Sequence, residues 1–131
     1  MSTGSRWLQL AREDLLVAEI AEKEGIHNQT CFHSQQAAEK ALKGFLVAKG
    51  RPVPKTHILA QLIGICAAMD SDFEAFEVDC LNLDRYYVPT RYPDALPGSL
   101  PEGLPDAKDA QQALGAARRI FDFVAGKLGQ E

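Results

Sequence analysis

Between Leu83 and Asp94 the chain reads Leu-Asp-Arg-Tyr-Tyr-Val-Pro-Thr-Arg-Tyr-Pro-Asp, which gathers Tyr86, Tyr87 and Tyr92 with Arg85 and Arg91 into one short stretch. Guanidinium groups fork onto phosphates and tyrosine rings stack on bases, so these residue types together suit a nucleotide or an RNA segment. Arg91 leads the set, with Tyr92, Arg85 and Tyr87 beside it. A second reading is structural: the tyrosines pack the segment onto the body of the protein while Asp84 and Asp94 neutralise the arginines. Both readings stand on the sequence alone.

A weaker candidate set lies upstream. Lys40 and Lys43 are three apart in a helical pattern and are expected to share a face. Gln35, Gln36 and Glu39 are expected to form a polar network on the packed side of the same helix. His57, next to the start of a later helix, either hydrogen-bonds within the fold or joins Lys55 and Lys43 in meeting a phosphate. No metal and no cofactor is expected, because Cys31 and His33 are two apart and point to different sides of a helix. Lys49-Gly50-Arg51 lacks the glycine spacing of a phosphate loop, and no nucleophile elbow occurs, which excludes those enzyme classes.

Charge narrows the ligand classes. The 131 residues carry 14 Lys and Arg against 18 Asp and Glu, a net charge of −4. A mildly acidic chain has no overall positive field, so bulk coating of nucleic acid is excluded and any RNA contact must be local. From Lys40 to Met69 there is no acid, whereas Asp70 to Asp84 holds six acids and no base. These segments are expected to attract one another as solvated helix faces, with a binding surface as the alternative. Cys31, Cys66 and Cys80 are odd in number and lack CxxC spacing, which argues against a disulfide framework and fits a cytoplasmic protein. No secretory signal or membrane span is expected.

The elements that must hold these residues follow from periodicity and proline placement. No proline precedes Pro52 and none follows Pro105, so long helices can occupy both ends. Apolar spacing predicts helices over Ser5–Glu24, Asn28–Lys49 and about His57–Met69, the last capped by Thr56. A fourth helix is expected from near Ser71, burying Phe73, Phe76, Cys80 and Leu83. Prolines recurring every four residues exclude regular helix from Tyr87 to Pro105. Pro105 and Asp106 then open a fifth helix to about Leu128. The expected core includes Trp7, Leu42, Phe45, Leu62, Phe76 and Ile120. The whole is expected to be all-α: a single domain, residues 1–131, forming an up-and-down bundle of about five helices with a proline-rich loop before the last.

Three separated motifs, in this order, resemble the HEPN domain (higher eukaryotes and prokaryotes nucleotide-binding). They are Phe32-His33-Ser34-Gln35-Gln36-Ala37-Ala38-Glu39-Lys40-Ala41-Leu42-Lys43, Pro54-Lys55-Thr56-His57-Ile58-Leu59, and Leu83-Asp84-Arg85-Tyr86-Tyr87 with Thr90-Arg91-Tyr92-Pro93-Asp94. The resemblance spans about residues 5–128. It implies a helical bundle that forms a homodimer and is often encoded with a minimal nucleotidyltransferase protein in prokaryotic toxin–antitoxin pairs. Many HEPN proteins are metal-independent ribonucleases that use an Arg followed a few residues on by a His. Here the corresponding positions after Arg91 hold Leu96, Pro97 and Gly98, and no His follows His57. Arg51 and His57 have the spacing but sit in a connector, and the match is read as chance. The expected function is therefore binding of a nucleotide, an RNA or a nucleotidyltransferase partner. An altered-site ribonuclease and a structural dimer are the alternatives.

Overall fold

A computed structural model describes residues 3–87 and 104–129. Among them the regular structure is helical: α1 (Thr3–Lys23), α2 (His27–Ala48), α3 (Leu59–Met69), a 3-10 segment (Ser71–Phe76), α4 (Glu77–Asp84) and α5 (Ala107–Lys127). Gly25 and Gly50 follow α1 and α2 at φ 74° and 80°, a left-handed geometry that stops a helix without steric cost. Asp106 and Asp109 cap each other's backbone N–H groups at the start of α5.

α2 is the central element, packing against α1, α3, α4 and α5. It buries Cys31, Ala38, Leu42 and Phe45 as its periodicity requires. Around them close Leu62 and Cys66 of α3, Phe73 of the 3-10 segment, and Ile120 and Val124 of α5. Phe45 meets Phe73 with ring centroids 4.5 Å apart, and Phe73 meets Phe123 edge-on at 4.9 Å.

Several expectations change. Trp7 and Phe76 are half-buried rather than core. Trp7 lies where α1 crosses α2 so closely that a Cβ on Gly44 would sit 2.9 Å from the Trp7 Cβ, leaving no depth for the indole. Leu10 and Val17, among the apolar residues whose spacing predicts α1, are 45% and 42% exposed. α3 begins at Leu59, two residues late, because its first amides are capped from another helix, as described below. The fourth helix opens at Ser71 as a 3-10 turn capped by Asp70, whose carboxylate accepts from Asp72 N–H at 3.0 Å. Most of the proline-rich stretch, including Arg91, Tyr92 and Asp94, lies outside the described residues.

Among the described residues no ion pair joins the acid-free and base-free segments, although the charge of Lys49 helps hold the Asp70 carboxyl down behind the hydrogen bond from Lys127. Asp70 and Asp72 take Lys127 of α5, and Asp79 takes Arg119 of α5. Lys40 and Lys43 find acids on α1 and α2 instead.

Candidate functional site

One line of α2, four residues per step, carries Gln35, Glu39 and Lys43, all buried. A carboxylate and an ammonium in this position are tolerated only if each is paired and hydrogen-bonded. Glu39 meets that demand with three contacts. Its Oε2 accepts from Lys43 Nζ at 3.0 Å and from His57 Nδ1 at 2.8 Å, and its Oε1 accepts from Gln35 Nε2 at 3.4 Å. Gln35 Nε2 also donates to the His57 carbonyl at 3.2 Å, and Gln36 Nε2 donates to Gln35 Oε1 at 2.6 Å. The polar network expected on the packed side is thus present, and it extends to a residue 18 positions away from Glu39.

His57 is the outer member of this network, with 52% of its side chain exposed. With Nδ1–H donating to the Glu39 carboxylate, Nε2 is the nitrogen left for an external partner. The Tyr87 ring lies nearly parallel to the imidazole, 17° between planes and 5.5 Å between centroids. Lys43 is buried against Glu39, so it holds the carboxylate that holds His57 and does not reach outward.

The four residues Asp84 to Tyr87 at the end of α4 turn to different neighbours. The Asp84 carboxylate accepts from Leu59 N–H at 2.7 Å and Ala60 N–H at 3.0 Å, closing the N-terminus of α3 across 25 residues. Burial raises the Asp84 carboxyl above its usual range, opposed by those two N–H groups and reinforced by the charge of Glu39. Asp84 thus caps α3, and the α3 amides near His57 are already occupied, so they offer no open phosphate site. Thr56 Oγ1 accepts only from Ile58 N–H. Tyr86 is buried, and burial pushes its hydroxyl well up. Arg85 lies over the Tyr86 ring at 5.6 Å. It lines a groove of about 320 Å³ between α4 and α5 with Asn82, Gln112 and Arg119.

Lys40 does not share the Lys43 network. Its Nζ donates to Asp14 Oδ2 of α1 at 2.6 Å, and the other Asp14 oxygen pairs with His33 Nδ1 at 3.0 Å. Residues three apart on a helix differ by about 60° in direction, enough here to send one lysine to α1 and the other toward α3. Of the sequence candidates, Tyr87, His57 and Lys43 therefore come together, while Arg85 and Lys40 lie in separate surroundings. Glu39 is the member whose role the sequence reading understated. Its spacing to Lys43 was readable, but its contact with His57 required the packing of α3 on α2.

The fold and site define an all-α module in which three separated motifs converge on one half-exposed imidazole. The chain belongs to the HEPN domain family, whose profile matches residues 5–128. It is 26% identical to a protein of Methanocaldococcus jannaschii named "Putative toxin MJ1304", over 94% of this chain and 89% of that one. The crystal structure of TT1696 from Thermus thermophilus superposes with a TM-score of 0.77 at 35% identity, covering 97% of this chain and 99% of the other. ST0689, an archaeal HEPN homologue, gives 0.76 at 31% identity, covering 97% and 98%.

Proposed function

We propose that the chain is a toxin-class HEPN module that binds a nucleotide or an RNA segment at the His57–Tyr87 face and is paired with a nucleotidyltransferase protein. The observation that carries this reading is the His57 imidazole, held at Nδ1 by buried Glu39 and covered on one side by the parallel Tyr87 ring. Such a pair offers a flat surface to a base and one ring nitrogen to a phosphate or hydroxyl oxygen. Arg91 and Tyr92 follow Tyr87 within a few residues of sequence and carry residue types of the same binding chemistry. Lys43 supports it from beneath through Glu39. The toxin name of the archaeal relative supports the class.

Binding rather than cleavage is the reading because no His follows Arg91 at any spacing. Fluorescence anisotropy with labelled single-stranded RNA, and with labelled ATP, tests it. Loss of a stacking ring costs about 1–3 kcal/mol per base, so Tyr87→Ala is expected to weaken binding by about five-fold to a hundred-fold. His57→Ala and Arg91→Ala should weaken it with the melting temperature unchanged. Binding that survives all three substitutions would overturn the assignment of this face. Metal-independent RNA cleavage abolished by Arg91→Ala would replace it with the ribonuclease reading. Co-purification with a nucleotidyltransferase tests the partner separately.

A further inference from the structure

The groove of about 320 Å³ between α4 and α5 holds polar groups that the fold itself does not use. The carboxamides of Asn82, Gln111 and Gln112 line it, and none of them makes a side-chain hydrogen bond among the described residues. Arg119 lines it too, in a fixed pose: its Nε and Nη2 donate to the two carboxylate oxygens of Asp79 at 3.2 and 3.0 Å. The remaining nitrogen, Nη1, lies over Gly115, 3.4 Å from where a Cβ would stand, and has no partner among the described residues. Glycine inside a helix is disfavoured relative to alanine, and here the missing side chain leaves the groove open.

These groups form a track. Gln111, Gly115 and Arg119 are four apart, on one line of α5 that spans about 12 Å. α4 runs antiparallel beside it: Asp79 meets Arg119 at one end, and Tyr86, past the other end, lies within reach of the charge of Asp109. An extended peptide rises about 3.3 Å per residue, so the track accommodates about four residues. A carboxamide presents a donor and an acceptor side by side, the complement of a peptide group's C=O and N–H. Charge selects the side chains of such a peptide: among the described residues Asp79 is the one acid lining the groove, against the two guanidinium groups of Arg119 and Arg85. Single-stranded nucleic acid would need an exposed ring to stack on, whereas the ring lining the groove, Tyr86, is 3% exposed.

We infer that this groove docks an extended acidic segment of a partner protein, its main chain held by Asn82, Gln111 and Gln112 and a carboxylate side chain taken by Nη1 of Arg119. Asp79 is the positioning residue: by holding two nitrogens of the guanidinium it fixes where the third one stands. The groove shares no residue with the His57–Tyr87 face, so this assignment stands or falls independently of what that face binds.

Chemical-shift mapping of the isotope-labelled full chain by NMR tests this, with a hexapeptide of alternating glutamate and serine as the probe. The peptide should shift the side-chain amides of Asn82, Gln111 and Gln112 and the Nε–H of Arg119, and a lysine–serine peptide should leave them in place. Gly115→Leu fills the track and should weaken peptide binding on the order of tenfold or more. Its melting temperature should be no lower than that of the wild type, since the new Cβ meets only the flexible tip of Arg119. Arg119→Gln should weaken binding by about tenfold. Arg118→Gln, which faces Glu19 of α1, and Tyr87→Ala should leave it unchanged. No shift with the acidic peptide, equal shifts with the lysine peptide, or full binding by Gly115→Leu would overturn the proposal. Tetrauridylate shifting the same amides while the acidic peptide does not would overturn it in favour of nucleic acid.

Discussion

Glu39 and Asp14 each bind one imidazole and one ammonium, at nearly the same distances: 2.8 and 3.0 Å for Glu39, 3.0 and 2.6 Å for Asp14. Their surroundings differ. Glu39 and Lys43 are each only 6% exposed in their side chains, so the pair neutralises itself inside the fold and its histidine turns outward. Asp14 is shared between two partly buried groups, His33 and Lys40, and all three lie between α1 and α2. The His33 ring packs edge-on against Phe32 at 5.3 Å, whereas His57 lies flat under Tyr87. The same residue types therefore tie two helices together in one place and present an imidazole in the other. What separates these outcomes is the depth of the lysine: Lys43 is buried while its histidine is exposed, whereas Lys40 and His33 are both partly buried.

The largest effect expected from this comparison is at Glu39. Glu39→Ala leaves Lys43 buried without its counter-charge and should cost about 3–5 kcal/mol, the usual result of removing one member of a buried ion pair. Urea unfolding measures it. Glu39→Ala combined with Lys43→Met should recover much of the loss, because the charge and its partner then leave together. A Glu39→Ala protein within about 1 kcal/mol of wild type would mean that Lys43 escapes to solvent, and the contrast between the two sites would fail.

Asp84 comes next. Asp84→Ala removes the cap of α3 and should cost about 1–2 kcal/mol. The pH dependence has a definite sign. Burial raises the Asp84 carboxyl, so the folded protein binds this proton more readily than the unfolded chain does. This group therefore opposes stability as pH rises from the ordinary carboxylate value through the raised one. The cost of Asp84→Ala should accordingly be larger when measured below that window than above it, in thermal melts across the acid range. A cost that grows with pH would contradict the burial that defines this carboxylate.

How far the sequence could be read depended on whether a feature was local. α2 and the opening of α5 at Asp106 were legible because each depends on residues within a turn or two. The start of α3 was not, since its cap reaches from Asp84, 25 residues away, and Thr56 looked adequate in isolation. Trp7 was assigned to the core by its size and its place on an apolar stripe. The close approach of Gly44 to α1, which displaces it, leaves no mark in the pattern of α1 itself. At the site, His57 and Tyr87 were legible as candidate types, but their stacking and the Glu39 contact arise from packing of three distant segments. The separate destinations of Lys40 and Lys43 turned on a rotation of about 60°, finer than a shared-face argument resolves.

The smallest effect expected is at Asp14, and it probes the other half of the comparison. Burial opposes ionisation of this carboxyl, but hydrogen bonds from His33 and Lys40 and the charge of Lys40 outweigh it, and the group is held below its ordinary value. A carboxyl whose folded value is depressed contributes stability that is present above its unfolded value and lost as pH falls through the folded one. Asp14→Asn keeps the shape and one acceptor but removes the charge. It should cost about 1 kcal/mol at neutral pH, since Lys40 and His33 keep partial access to water. Its clearer signature is the shape of the melting-temperature curve below the ordinary carboxylate range, where the wild type should decline more steeply than the variant. Since Asp14 ties helix to helix and does not present a ligand group, RNA and ATP binding should be unchanged in the same variant. Parallel acid limbs for the two proteins would show that Asp14 carries no net electrostatic stabilisation. A loss of ligand binding would show that the two carboxylate sites share one function.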